Sequence, residues 1–238
     1  MSARLWSELA VPRAGSLAVL APHPDDFDAI AVTLRRFRDL GWTLQLAVLS
    51  GGASGVQEGY GGARDDAARC ALREAEQRAS CAAFGLPEQC LHFLRLAEDE
   101  RGHPHDDEAN RACLRRFLAL AQPSRVFMPH GNDSNVAHRR SWEMFRRIAQ
   151  EDGLQLEAWL NRDAKTLGMR EDVIVPFGAE EADWKAGLLR LHASQQARNL
   201  ATRGHGFDER VLAVNAAAAQ DCGRSEGWAE VFELQHLG

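Results

Sequence analysis

The chain has 238 residues, 45% of them hydrophobic, enough to bury one sizeable core. A formal net charge of −6, with lysine only at Lys165 and Lys185, leaves no basic field for a phosphate backbone and excludes nucleic acid as an expected partner. No run approaches 18 consecutive apolar residues, and the N-terminal stretch carries charge where a secretory leader needs an apolar run, so a cytoplasmic protein with no membrane partner is expected.

In chain order, residues 17–21 (LAVLA) form a short apolar run between Gly15 and Pro22, which suits a buried parallel strand. From Asp28 the apolar spacing of Ile30, Val32, Leu34 and Phe37 predicts a helix to Leu40, stopped by Gly41. Residues 43–49 predict a second strand, ending in the turn residues Ser50-Gly51-Gly52. Residues 64–84, rich in Ala and Arg without internal Gly or Pro, predict a long helix ending at Gly85. A strand over 90–94, a polar loop over 97–107, a helix to about 120 and a strand over 126–128 repeat the rhythm. A helix from about Val136 follows; then strands over 154–159 and 172–175, helices over 182–191 and 209–219, and a closing strand over 228–234. The alternation predicts a Rossmann-like, mostly parallel α/β sheet with helices on both faces, in a single domain spanning 1–238. Cys70, Cys81, Cys90, Cys113 and Cys222 are odd in number and lack C-x-x-C spacing, so reduced core residues are expected.

In an open α/β sheet, ligands bind beyond the carboxyl ends of the strands, so the polar residues there carry the chemistry. After the first strand, Pro22-His23-Pro24-Asp25-Asp26 compresses an imidazole and two carboxylates between prolines. Adjacent carboxylates repel, and a divalent cation relieves that repulsion; either Asp could also cap the following helix. After the strand over 126–128, Pro129-His130-Gly131-Asn132-Asp133-Ser134-Asn135 opens a helix with His138 in its first turn. His23, Asp26 and His138 make a two-His, one-carboxylate set, which suits one zinc ion per chain with an open position for water, although other divalent ions accept such donors.

The segment APHPDD, the later Asp-x-Asn-x-x-His, Arg73-x-x-Glu76 in a helix ending Phe84-Gly85, Lys185 followed by His192-x-Ser194-Gln195, and the closing Trp228-Ala229-Glu230-x-Phe232 together resemble the PIG-L/LmbE-like N-acetylglucosaminyl deacetylases. The resemblance spans nearly the whole chain. It implies an LmbE-like deacetylase fold, zinc on His23, Asp26 and His138, and Asp25 as general base. An unligated carboxylate beside a metal agrees chemically, since it can take a proton from attacking water and return it to the leaving amine.

The sequence departs from the family pattern in two places. Phe27 follows His-Pro-Asp-Asp where the family usually has Glu, with Asp28 one position later, and Asn135 replaces the first His of His-x-x-His. Asn135 can donate a neutral hydrogen bond to an oxyanion but cannot be a cation, which makes His192 and His130 candidates for the cationic part. On the substrate side, the segment from Ser50 and Gly51 to Gly55 looks like the family's Thr-Asp-Gly-x-x-Gly and is expected to line the crevice with backbone N–H groups. Arg73 is the family's candidate for contact with a polar substrate, oriented by Glu76 through an i, i+3 pairing. The acidic loop over 98–107 lacks a fixed scaffold and is not expected to bind a second metal.

These readings converge on a zinc-dependent hydrolase that removes an N-acetyl group from a glucosamine-containing small molecule. Amide hydrolysis on a different conjugate, such as a thiol conjugate, and non-catalytic binding of a sugar or nucleotide are the alternatives. Pro22-His23-Pro24 stands where G-x-G-x-x-G would be needed, which disfavours a dinucleotide. Assembly into a homo-oligomer is left open.

Overall fold

The computed structural model describes residues 3–238, and among them eight strands form one sheet. The strands are β1 Arg4–Leu5, β2 Gly15–Ala21, β3 Trp42–Val48, β4 Leu91–Phe93, β5 Arg125–Pro129, β6 Leu156–Asn161, β7 Val173–Phe177 and β8 Trp228–Leu237, in spatial order β1-β7-β8-β6-β5-β2-β3-β4. Neighbours run parallel except where β8 inserts antiparallel between β6 and β7. The helices are α1 Ala31–Asp39, α2 Asp66–Phe84, α3 Glu108–Ala121, α4 Val136–Glu151, α5 Ala179–Arg190, α6 Ala193–Arg203 and α7 Phe207–Asp221.

Alternate residues of β2 serve two cores, as a strand buried on both faces must. Leu17, Val19 and Ala21 pack with Leu34 and Phe37 of α1, Phe84 of α2 and Leu188 of α5. Ala18 and Leu20 pack with Leu114 and Phe117 of α3 and Met144, Phe145 and Ile148 of α4. Ile174 of β7 faces Ala218 and Ala219 of α7. The sheet is thus covered on both faces, as the alternating sequence pattern predicts. No helix among the described residues is long and apolar enough to cross a membrane.

Several details differ from the sequence reading, among them the short edge strand β1, which was not expected. The expected helix from Asp28 begins as a 3-10 turn, Asp28–Ile30, before α1. All five cysteines are free, but only Cys81 is buried and the other four are half-buried. Helix α6 was not expected: its buried residues are Ser194, Gln195 and Asn199, whereas Leu200 is exposed, so it shows no apolar periodicity to read.

What matters for the site is the position of β2. Its parallel neighbours are β3 on one side and β5 on the other, so the chain reverses its direction of travel across the sheet here. The loops after β2 and β5 therefore leave the same edge side by side, at the point where such sheets open a crevice.

Candidate active site

His23, Asp25 and Asp26 come from the loop after β2, and His138 from the first turn of α4, which follows β5. His23 Nδ1 lies 3.4 Å from Asp26 Oδ2, and His138 Nε2 lies 3.5 Å from Asp26 Oδ1. One ligand atom from each of these three residues falls within 4.8 Å of the others. Donors bound at about 2.1 Å to one tetrahedral ion stand about 3.4 Å apart, so the set fits a single divalent ion such as zinc. Burial pushes the Asp26 carboxyl up, but the His138 charge and hydrogen bonds from both histidines outweigh it and hold the group well below the usual carboxylate range. Burial likewise disfavours charge on His138, yet Asp26 and Asp133 raise its pKa to about 10. The two shifts are largely one carboxylate–imidazole attraction seen from its two partners.

Behind His138, Asp133 is fully buried and its Oδ2 lies 3.2 Å from Nδ1. That contact turns Nε2 towards Asp26, the usual arrangement behind a metal-ligating imidazole. Asp163, in the loop after β6, is 4.0 Å from the same Nδ1. The sequence reading assigned neither acid. Asp133 stood in the quoted Asp-x-Asn-x-x-His motif, whereas Asp163 reaches the site only because β6 pairs with β5.

Asp25 is held apart from that set. It adopts φ +114°, a left-handed conformation that costs a non-glycine residue about 1–3 kcal/mol. Its N–H donates to Gln77 Oε1 at 2.9 Å, and its Oδ2 accepts from Arg73 Nη2 at 2.5 Å. Burial pushes its carboxyl above the ordinary range, more than Arg73 pulls it down.

Asn135 is the N-cap of α4: its Oδ1 accepts the Ala137 N–H at 3.0 Å, and its own N–H donates to Asp133 Oδ1. With the carbonyl side committed to the cap, the Nδ2 donor is the part of the amide left for the crevice, which Asn135 lines.

Other expected residues lie elsewhere. His192 is fully buried, N-caps α6 and places Nε2 2.7 Å from Asp28 Oδ2, so it backs the site instead of lining it. Asp28 also accepts from Ser80 and from Gln77 Nε2, so the acid displaced by Phe27 joins the first loop to α2 and His192. His130 turns towards β8, its Nδ1 accepting the Asn132 N–H and its Nε2 3.3 Å from Glu233; it does not reach the crevice. Ser50 is buried and donates its hydroxyl to the Pro22 carbonyl, while Gly51 packs against Cys70, leaving Gly52, Ser54 and Gly55 as the lining part of that segment. A Cβ at Gly52, itself at φ +62°, would stand 2.5 Å from Arg73 Nη1.

Arg73 is 2% exposed and donates to the Pro24 and Gly52 carbonyls as well as to Asp25. It is accordingly a clamp between two loops that also borders the crevice. Glu76 does not orient it; both Glu76 oxygens accept from Ser194, through its N–H and hydroxyl, anchoring the start of α6. The acidic loop over 98–107 contributes no residue to a possible metal cluster among the described residues.

The PIG-L family, described as GlcNAc-PI de-N-acetylase, matches residues 18–149, more than half of the chain. No curated relative matches the sequence. Among solved structures, N,N'-diacetylchitobiose deacetylase from Pyrococcus horikoshii is similar, with 17% identity and TM-score 0.73 over 94% of this chain and 84% of that one. A deacetylase of the teicoplanin biosynthetic pathway, solved as a triple mutant, has 14% identity and TM-score 0.70 over 93% and 98% of the two chains. The 4-carboxy-2-hydroxymuconate hydratase of Pseudomonas putida has 18% identity and TM-score 0.69 over 93% and 95%. At such identities these structures share the fold with the chain.

Proposed function

This chain belongs to the PIG-L family of GlcNAc-PI de-N-acetylases, and from that premise we propose that it is a zinc-dependent hydrolase removing the N-acetyl group of a glucosamine-containing small molecule. The observation that carries this reading is the pairing of a His23–Asp26–His138 donor set with an adjacent, separately held Asp25 in one crevice. The deacetylases among the structural relatives support amide hydrolysis, the chemistry named for them. A divalent ion on the three donors would polarise the amide carbonyl and lower the pKa of a water in the crevice.

The chain's own residues then divide the work. Asp25 takes the proton of the attacking water on its carboxylate and passes it to the nitrogen as the C–N bond breaks, releasing acetate and a free amine. Arg73 keeps that carboxylate in place from its seat between the loops. Asn135 Nδ2 donates to the amide oxygen as negative charge develops there, the role a side-chain amide can fill without being charged. Asp133 keeps His138 turned to the donor set.

The test is metal analysis of the purified protein together with a free-amine assay over a panel of N-acetylated glucosaminides. Stoichiometric zinc and amine release are expected. Zinc-loaded protein that releases no amine from any of them would overturn the reading.

A further inference from the structure

The chain is acidic overall, yet five cations besides Arg73 line the crevice. They are Arg101, Lys165, Arg198, Arg203 and Arg210, and Lys165 is one of only two lysines in the sequence. None of the five forms an ion pair with a carboxylate within 4.0 Å among the described residues. Several arginines elsewhere are neutralised, Arg115 by Glu108, Glu151 and Asp152 and Arg162 by Glu171 and Asp221, and others without a carboxylate partner among the described residues, such as Arg116 and Arg146, stand on separate helices outside the crevice.

The arrangement on α6 and α7 sharpens the contrast. Arg198 and Arg203 stand on α6 and Arg210 in the first turn of α7, where the helix dipole is already positive and a cation is disfavoured. The acids of that turn are committed elsewhere, Asp208 to Arg190 at 2.7 Å and Glu209 to the Gly206 N–H. Partial burial and then the charges of Arg73, Arg203 and Arg210 pull the Arg198 guanidinium below its ordinary value. Such crowding of like charge stabilises nothing within the protein; scattered over a convex face it would be solvated, but here it converges on a concavity shared with His23, Asp25 and Asp26.

We propose that the crevice selects substrates carrying an anionic substituent, a phosphate or a carboxylate, seated against Arg198, Arg203 and Arg210. Guanidinium groups suit both anions because their fork of donors pairs with two oxygens at once. The inference deepens the deacetylase reading and rests on it for the position of the amide.

Calorimetric titration of the purified protein with three ligands tests it: N-acetylglucosamine 1-phosphate, carboxymethyl N-acetylglucosaminide and the neutral methyl N-acetylglucosaminide. At least one anionic ligand is expected to bind about 10-fold or more tightly than the neutral one, with the preference shrinking as salt rises from about 0.05 to about 0.5 M. Whichever anion binds better identifies the substituent. Combining Arg198→Gln with Arg210→Gln should bring anionic and neutral affinities together, whereas Arg116→Gln combined with Arg146→Gln, an equal charge change on the exposed faces of α3 and α4, should preserve the preference. Equal affinities in the wild type, no binding by any of the three, or a preference that survives the double variant overturns the proposal. Amine released as fast from the neutral glycoside as from the anionic ones also sinks it while leaving deacetylation standing. An anion preference without amine release from any ligand does the reverse.

Discussion

Lys185 and Glu230 form an ion pair whose side chains are 0% and 1% exposed. The ammonium donates to Glu230, Asn215 and the Ala29 carbonyl, while the carboxylate also accepts from the Val32 and Thr33 N–H groups and the Thr33 hydroxyl. Every donor of the lysine is matched, and the pair fastens α1, α5, α7 and β8 together. The crevice contains charge handled differently. Asp25 and Asp26 are adjacent acids, Asp25 is backbone-strained, and Nε of Arg73, which borders the crevice, lacks a hydrogen-bond partner among the described residues. The Lys185–Glu230 charge is satisfied within the fold, whereas the crevice combines a strained Asp25 backbone with an incompletely paired Arg73.

Substitutions can break this contrast or sharpen it. The largest expected effect is on chemistry: Asp25→Asn should lower amine release by roughly 10²- to 10⁴-fold, the usual loss for an acid–base group. Its denaturant stability should shift by less than about 1 kcal/mol. Wild-type turnover with zinc still bound would remove Asp25 from the mechanism. Lys185→Met should do the opposite, destabilising the fold by about 3–5 kcal/mol by stranding the Glu230 charge. An urea unfolding curve that barely moves would deny the pair its structural role.

Asn135→Ser keeps an N-cap acceptor but removes the amide donor, so turnover should fall roughly 10²- to 10³-fold with little change in stability. Full turnover would mean that the cap is all Asn135 supplies. The smallest effect is expected for Asp133→Asn, which should weaken zinc binding about 10- to 100-fold, measured by competition with a chromogenic chelator. Unchanged affinity would show that the Asp133–His138 contact does not tune the donor set.

Much of this was legible in the sequence. The parallel rhythm as far as β5 could be read because strands buried on both faces are continuous apolar runs and the intervening helices end on glycine or on turn residues. The donor set was legible because its members lie in loops that follow strands, where polar residues clustered between prolines have little structural reason to be. The tertiary structure alone decided how second-rank residues are used. His192 and His130 resembled crevice residues by type, but their rings point to Asp28 and Glu233, partners 164 and 103 positions away that no local pattern connects to them. Arg73 and Glu76 looked like one helical pair, yet Arg73 faces Asp25 and Glu76 faces Ser194. Helix α6 and its share of the cationic lining were hidden because that helix buries polar side chains. Periodicity reports apolar burial, and charge convergence across α6, α7 and the loops exists only after packing brings them around one crevice.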